Sequence, residues 1–153
     1  MYNVMIVDDE LWFRSYLKEL IDQSGSEFLV CAQAANGAEA LKILAAQPVD
    51  VVIADVLMPV MDGVELMQHL SDLPHRLPVF ALSNCDDYLH VRQMLQLGAQ
   101  DYLLKHEISA RGSAGASSAC RRLDPAAGHG KQRARARTGR GGLCAQKPHG
   151  SEK

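Results

Sequence analysis

Five short apolar runs, each closed by a change to polar residues, constrain this 153-residue chain more than any other feature. They are Val4-Met5-Ile6-Val7 before Asp8-Asp9, Phe28 to Ala34 centred on Val30, Val51-Val52-Ile53-Ala54 before Asp55, Val79-Phe80-Ala81-Leu82 before Ser83, and Tyr102-Leu103-Leu104 before Lys105. Unbroken apolar runs of this length suit strands buried on both faces, as in a parallel sheet covered by helices. Helical stripes fill the intervals. Phe13, Leu17, Leu20 and Ile21 recur at i, i+4, i+7 and i+8; Ala40, Leu41 and Leu44 follow the Asn36-Gly37 turn; Val64, Met67 and Leu70 follow Asp62-Gly63; Val91, Met94 and Leu95 precede Gly98, read as the residue just past a helix end. The alternation predicts an α/β fold with a doubly wound, five-stranded parallel sheet. Right-handed crossovers leave few arrangements, and the flavodoxin-like order 2-1-3-4-5 is the expected one.

The formal charge of −2 hides a split. Residues 1–108 hold 6 Lys and Arg against 16 Asp and Glu, whereas residues 109–153 hold 10 against 2. The second segment carries 8 of the 12 glycines, and its only large aliphatic residues are Leu123 and Leu143. Such a stretch buries too little apolar surface to offset the entropy of ordering it. The reading is therefore an acidic folded domain over 1–108 and a basic, low-complexity, disordered tail over 109–153. No apolar run is long enough for a membrane span, and no basic start with an apolar stretch marks a secretory signal, so a cytoplasmic protein is expected. Cys31, Cys85, Cys120 and Cys144 form no C-x-x-C pair, and the six histidines show no metal spacing.

In open α/β sheets, ligands bind beyond the C-terminal ends of the strands, near the switch in strand order. Asp8 and Asp9, Asp55, Ser83 and Lys105 all fall at such ends. Clustered carboxylates repel one another and call for a cation. An all-oxygen donor set selects a hard ion, and Mg²⁺ accepts a few carboxylates while keeping its waters. With Mg²⁺ and Lys105 in place the site accepts a phosphoryl group. Asp55 becomes a candidate nucleophile able to form an aspartyl-phosphate, and Ser83 a hydrogen-bond donor to a phosphoryl oxygen.

Val7-Asp8-Asp9-Glu10, Asp55 with Met58-Pro59-x-Met61-Asp62-Gly63, Ser83, and Asp101-Tyr102-Leu103-Leu104-Lys105 come in the order and on the elements of a known pattern. On these residues the chain resembles the receiver domain of bacterial two-component response regulators over 1–108. The stretch Val91 to Tyr102 also resembles regulators that carry an AraC-type DNA-binding domain. The resemblance implies that Asp55 takes a phosphoryl group from the phosphohistidine of a sensor histidine kinase, with Lys105 and Ser83 assisting. It implies that Asp9 binds Mg²⁺ directly and Asp8 mainly through water, with Asp55 and the Leu57 backbone carbonyl as further ligands. It implies a switch in which Ser83 moves toward the phosphoryl oxygens and Tyr102 turns inward. Helix 4, strand 5 and helix 5 would form the output surface, and a homodimer through the helix 4–strand 5 face is one use of it. The chain would be a receiver and not an enzyme, acting only in its own phosphorylation and dephosphorylation.

Plainer readings stand beside these. Asp8 and Asp9 suit a helix cap, Tyr102 a half-buried strand aromatic, and Met58-Pro59 and Asp62-Gly63 a loop and a helix start. Asn84 stands where the family usually has a small residue, and His106 where it usually has Pro. The largest departure is the fifth helix. Ser109 to Ala116 holds two glycines and no aliphatic stripe, so that helix is expected to be degenerate or missing. An out-of-frame translation after a frameshift accounts for the Ala, Gly, Arg, Ser and Pro that follow; a genuine basic tail binding nucleic acid or membrane is the alternative. The leading reading is a phosphorylatable receiver truncated from a transcription regulator, with no specific DNA binding of its own. The alternatives are a non-functional remnant, a Mg²⁺-dependent phosphohydrolase using an aspartyl-phosphate, and a flavin or nucleotide module. Leu57 stands where many such hydrolases place a second Asp, and the acidic first loop would repel a phosphate.

Overall fold

A computed structural model describes residues 1–25, 27–84 and 86–123. The apolar runs form β1 (Tyr2–Val7), β2 (Phe28–Ala34), β3 (Val51–Asp55), β4 (Val79–Ser83) and β5 (Asp101–Leu104). Between and after them lie α1 (Leu11–Gln23), α2 (Gly37–Ala46), α3 (Gly63–Ser71), α4 (Tyr88–Gln96) and α5 (Lys105–Arg122). All strand pairs are parallel and the order is β2-β1-β3-β4-β5. This is the flavodoxin-like 2-1-3-4-5 order expected from the alternation.

Side chains on a strand alternate between faces, and the core divides accordingly. Val4, Ile6, Ile53, Phe80, Leu82 and Leu103 pack with Phe13, Leu17, Leu20 and Ile21 of α1 and with α5. Met5, Val7, Val52, Ala54, Val79 and Ala81 pack against α2, α3 and α4. The central strands are buried on both sides, which is why their sequences are apolar throughout and stop only where the strands end.

Local devices set the helix starts on the second face. Asn36 accepts from Glu39 N at 2.9 Å, and Asp62 and Glu65 form a reciprocal capping box at α3. Gly63 is dictated by close approach: a Cβ there would lie 2.4 Å from the Asp55 carbonyl oxygen. Gly98 (φ 112°) follows α4 in the left-handed conformation expected of a helix terminator.

The fifth helix, expected to be degenerate or missing, is present and interrupted at one point. Gly112 (φ 50°, ψ −128°) breaks α5, and helical backbone resumes beyond it to Arg122. Ile108 before the break, and Ala119, Cys120 and Leu123 after it, are buried in the α1-side cluster. A docking helix is expected to carry regularly spaced large aliphatic residues. The helix docks instead through one Ile and one Leu with small residues between them, and Cys120 Sγ comes within 3.5 Å of Ser24 Oγ on the α1 side. α5 therefore runs past Ser109 to Arg122 among the described residues. Residues 124–153, the greater part of the expected tail, lie outside the described residues.

Candidate functional site

β1 and β3 are adjacent, with Val7 opposite Ala54, while the chain leaves them toward opposite edges of the sheet. Asp8 and Asp55 emerge side by side at that switch in strand order, where the crevice of such a sheet lies. Lys105, the first residue of α5, reaches in from the end of β5. Its Nζ lies 2.7 Å from Asp8 Oδ2 and 2.9 Å from Asp55 Oδ2. Asp8, Asp55 and Lys105 are all buried, at 0%, 5% and 5% exposure. Asp9 is exposed, and one carboxylate oxygen from each of Asp8, Asp9 and Asp55 falls within 4.8 Å of the others.

Neighbours hold this group in place. Asp8 Oδ1 accepts from Glu10 N at 2.8 Å, so Asp8 fixes the turn into α1; no side chain caps that helix. Arg14 donates from its guanidinium to the Asp8 carbonyl. The Phe13 ring lies under the Lys105 ammonium, 4.9 Å from its centre, a favourable cation–π arrangement. In the sequence Phe13 reads as part of the α1 core stripe, and Arg14 carries no pattern of its own. A single basic residue in the first turn of a helix carries no signal that separates the two uses.

Burial raises the Asp55 carboxyl to about 6, assisted by the Asp8 charge and opposed by Lys105. Asp8 is raised for the same first cause, against the pull of Lys105 and of the Glu10 amide. Burial alone would lower Lys105, but its bonds to Asp55 and Asp8 outweigh this and hold it above the usual lysine value. The ammonium is therefore charged at neutral pH. Three carboxylates against one ammonium leave an excess of negative charge in a poorly solvated crevice, which favours a hard cation. Asp8 Oδ2 is sealed from solvent and, the ammonium apart, has no donor among the described residues. With Asp9 exposed beside it, the donor set fits a divalent ion such as Mg²⁺.

The other candidates lie nearby without joining the cluster. Ser83 is buried at the end of β4, and its hydroxyl donates to the Asn84 carbonyl at 2.5 Å. Tyr102 is half-exposed on β5. A cavity of about 360 Å³ lies among Ser83, Tyr88, Val91, Leu95, Tyr102 and Leu104. Leu57 sits in the loop after Asp55, two residues before the Pro59-Val60-Met61 turn. There Met61 N donates to the Pro59 carbonyl at 2.8 Å around Val60 (φ 68°), a conformation that strains a β-branched residue. Among the described residues no helix is long and apolar enough to cross a membrane.

The profile of the response regulator receiver domain matches residues 4–111. Over 103 residues the chain is 33% identical to "Regulator of RpoS" of Escherichia coli K12, which is 67% of this chain and 30% of that protein. The chain thus spans about a third of the length of that relative. Among solved structures it is similar to the signal receiver domain of NarL from Mycobacterium tuberculosis, with 30% identity and a TM-score of 0.67, covering 77% of this chain and 91% of that one. It is also similar to the chemotaxis response regulator CheY4 of Vibrio cholerae, with 26% identity and a TM-score of 0.66, covering 80% and 98%.

Proposed function

The chain belongs to the response regulator receiver domain family, and from that premise we propose that Asp55 accepts a phosphoryl group from the phosphohistidine of a sensor histidine kinase. The observation that carries the reading is the buried Asp8–Lys105–Asp55 group with Asp9 at its mouth. Receivers are signalling modules and not enzymes in the usual sense; the chemistry is confined to the domain's own aspartate.

Asp8, Asp9, Asp55 and the Leu57 carbonyl would hold Mg²⁺, which when bound supplies positive charge to the phosphoryl oxygens. The protein's own groups do the rest. Deprotonated Asp55 attacks phosphorus, a P–O bond forms, the P–N bond to the donor imidazole breaks, and the imidazole takes a proton from solvent. Lys105 already touches Asp55 and carries the charge needed to neutralise a phosphoryl oxygen in the transition state. Ser83 then turns its hydroxyl from the Asn84 carbonyl toward the phosphoryl group, and Tyr102 moves into the adjacent cavity. The altered α4–β5–α5 face is the output, including homodimer formation through α4 and β5. The chain reads as the receiver part of a transcription regulator of the AraC-type class, with 109–153 as the product of a frameshift. It does not itself read DNA sequence.

Thermal unfolding followed by Trp12 fluorescence tests this, with and without Mg²⁺ plus beryllofluoride. Ligand at about 100 times its Kd adds about 2.7 kcal/mol, a rise on the order of 10 °C for a domain of this size. The rise is expected for this chain and not for Asp55→Asn; equal behaviour of the two would refute the assignment.

A further inference from the structure

One side chain ties the end of α5 to the start of β5. Arg122 donates from Nε and Nη2 to Asp101 Oδ2, at 3.1 and 2.7 Å, and from Nη2 to the Tyr102 carbonyl at 2.8 Å. Its guanidinium carbon also lies 5.9 Å from the centre of the Tyr102 ring. That ring stands half-exposed at the wall of the cavity that Ser83 also lines. The ring thus has room beside it, on the side that Ser83 lines, and a cation within reach of its face.

We propose that Arg122 is a positioning residue that holds Tyr102 out of the Ser83 cavity and thereby sets how tightly the phosphoryl site binds its ligand. The proposal rests on the reading of Ser83 and Tyr102 as the switch. A contact made only in the outward state favours that state, and any ligand that prefers the inward state binds more weakly by the same factor. The planar guanidinium suits the task, because one edge engages Asp101 and the Tyr102 carbonyl while the group stays within cation–π reach of the ring. Asp101 aims the guanidinium. Arg122 belongs to the part of α5 beyond Gly112, so the segment furthest from the family pattern is the one that biases the switch.

A merely structural anchor and a clamp predict opposite signs. Loss of an anchor loosens α5 and leaves ligand binding unchanged or weaker. Loss of the clamp frees Tyr102 and tightens binding. The test uses the full chain labelled with 3-fluorotyrosine, the Tyr102 resonance being identified by its loss in Tyr102→Phe, and a titration with beryllofluoride in Mg²⁺. Arg122→Met is expected to move the ligand-free Tyr102 resonance toward its ligand-saturated position and to lower the beryllofluoride Kd about 2–5-fold, the size of an exposed cation–π contact. Arg122→Lys keeps a charge for Asp101 but stacks poorly, so it shifts both readouts in the same direction by less and guards against a folding defect in the Met variant. Beryllofluoride binding that is intact but indifferent to both substitutions overturns the clamp alone. A chain that binds no beryllofluoride at all overturns the phosphoryl-site reading and the clamp with it.

Discussion

The two ends of α5 each present a cation to an aspartate, and they do so in opposite surroundings. At its start, Lys105 is buried between Asp8 and Asp55 and all three groups have displaced pKa values. At its end, Arg122 meets Asp101 at the surface, with side chains 38% and 28% exposed. A buried ion pair is expensive to form and more expensive to break, because removing one partner strands the other. An exposed pair contributes at most about 1 kcal/mol and yields to salt. The buried end is thus suited to chemistry in which charge must not wander. The exposed end is suited to a bias of a few-fold that sequence change can adjust.

The contrast breaks most visibly at Lys105. Lys105→Met leaves Asp8 and Asp55 facing each other without a cation and is expected to cost roughly 3–5 kcal/mol in metal-free buffer. Urea unfolding measures this, and adding Mg²⁺ should recover part of the loss. A cost as small as that at Arg122 would mean that water already reaches the cluster.

Asp55→Asn acts in the other direction. Without metal it removes a carboxylate that burial holds at about 6 and is expected to stabilise the domain by roughly 1–3 kcal/mol at pH 7. The folded-state value of about 6 lies above the unfolded value of 3.8. Between the two the folded protein holds the extra proton, so stability is greatest below the lower value and is lost as pH rises through the upper one. Stability measured in EDTA from pH 4 to pH 7 should therefore fall in the native chain and flatten in Asp55→Asn. Equal slopes would place the titration elsewhere.

Gly112→Ala sharpens the comparison within the helix. The backbone there (φ 50°, ψ −128°) excludes a Cβ without strain, and a cost of about 1–3 kcal/mol is expected. Thermal unfolding reports it, while Lys105 and its aspartates keep their beryllofluoride response. The smallest effect is expected at Arg122→Ala, below about 1 kcal/mol and vanishing in high salt by the same measurement.

What the sequence made readable follows the same division between buried and exposed. Strands buried on both faces announce themselves as unbroken apolar runs, and parallel order then forces Asp8, Asp55 and Lys105 to one edge. The alternation alone therefore brings together groups 47 to 97 residues apart. Leu66 lies fully buried in α3 yet escaped the stripe drawn through Val64 and Met67, because a short helix offers several nearly equivalent phases. α5 was harder still. Its docking depends on small residues and on a backbone break at Gly112, and neither leaves a hydrophobic period to detect. Ser83, at the end of β4, and Tyr102, on β5, are not bonded to the cluster, since residue order fixes where a side chain is rooted and not which rotamer it holds. Arg122 pairs with Asp101 across 21 positions on the strength of side-chain length alone.

β5 passes into α5 without a loop: Leu104 is both the last strand residue and the helix cap, and Lys105 is both the cation between Asp8 and Asp55 and the first helical residue. In mechanical terms the joint has no slack. A displacement of the Lys105 backbone meets no intervening loop and passes directly into the first turn of the helix. The first compliant point along the helix is Gly112. The two turns before it follow the site, and what lies beyond it can move to its own neighbours' demands.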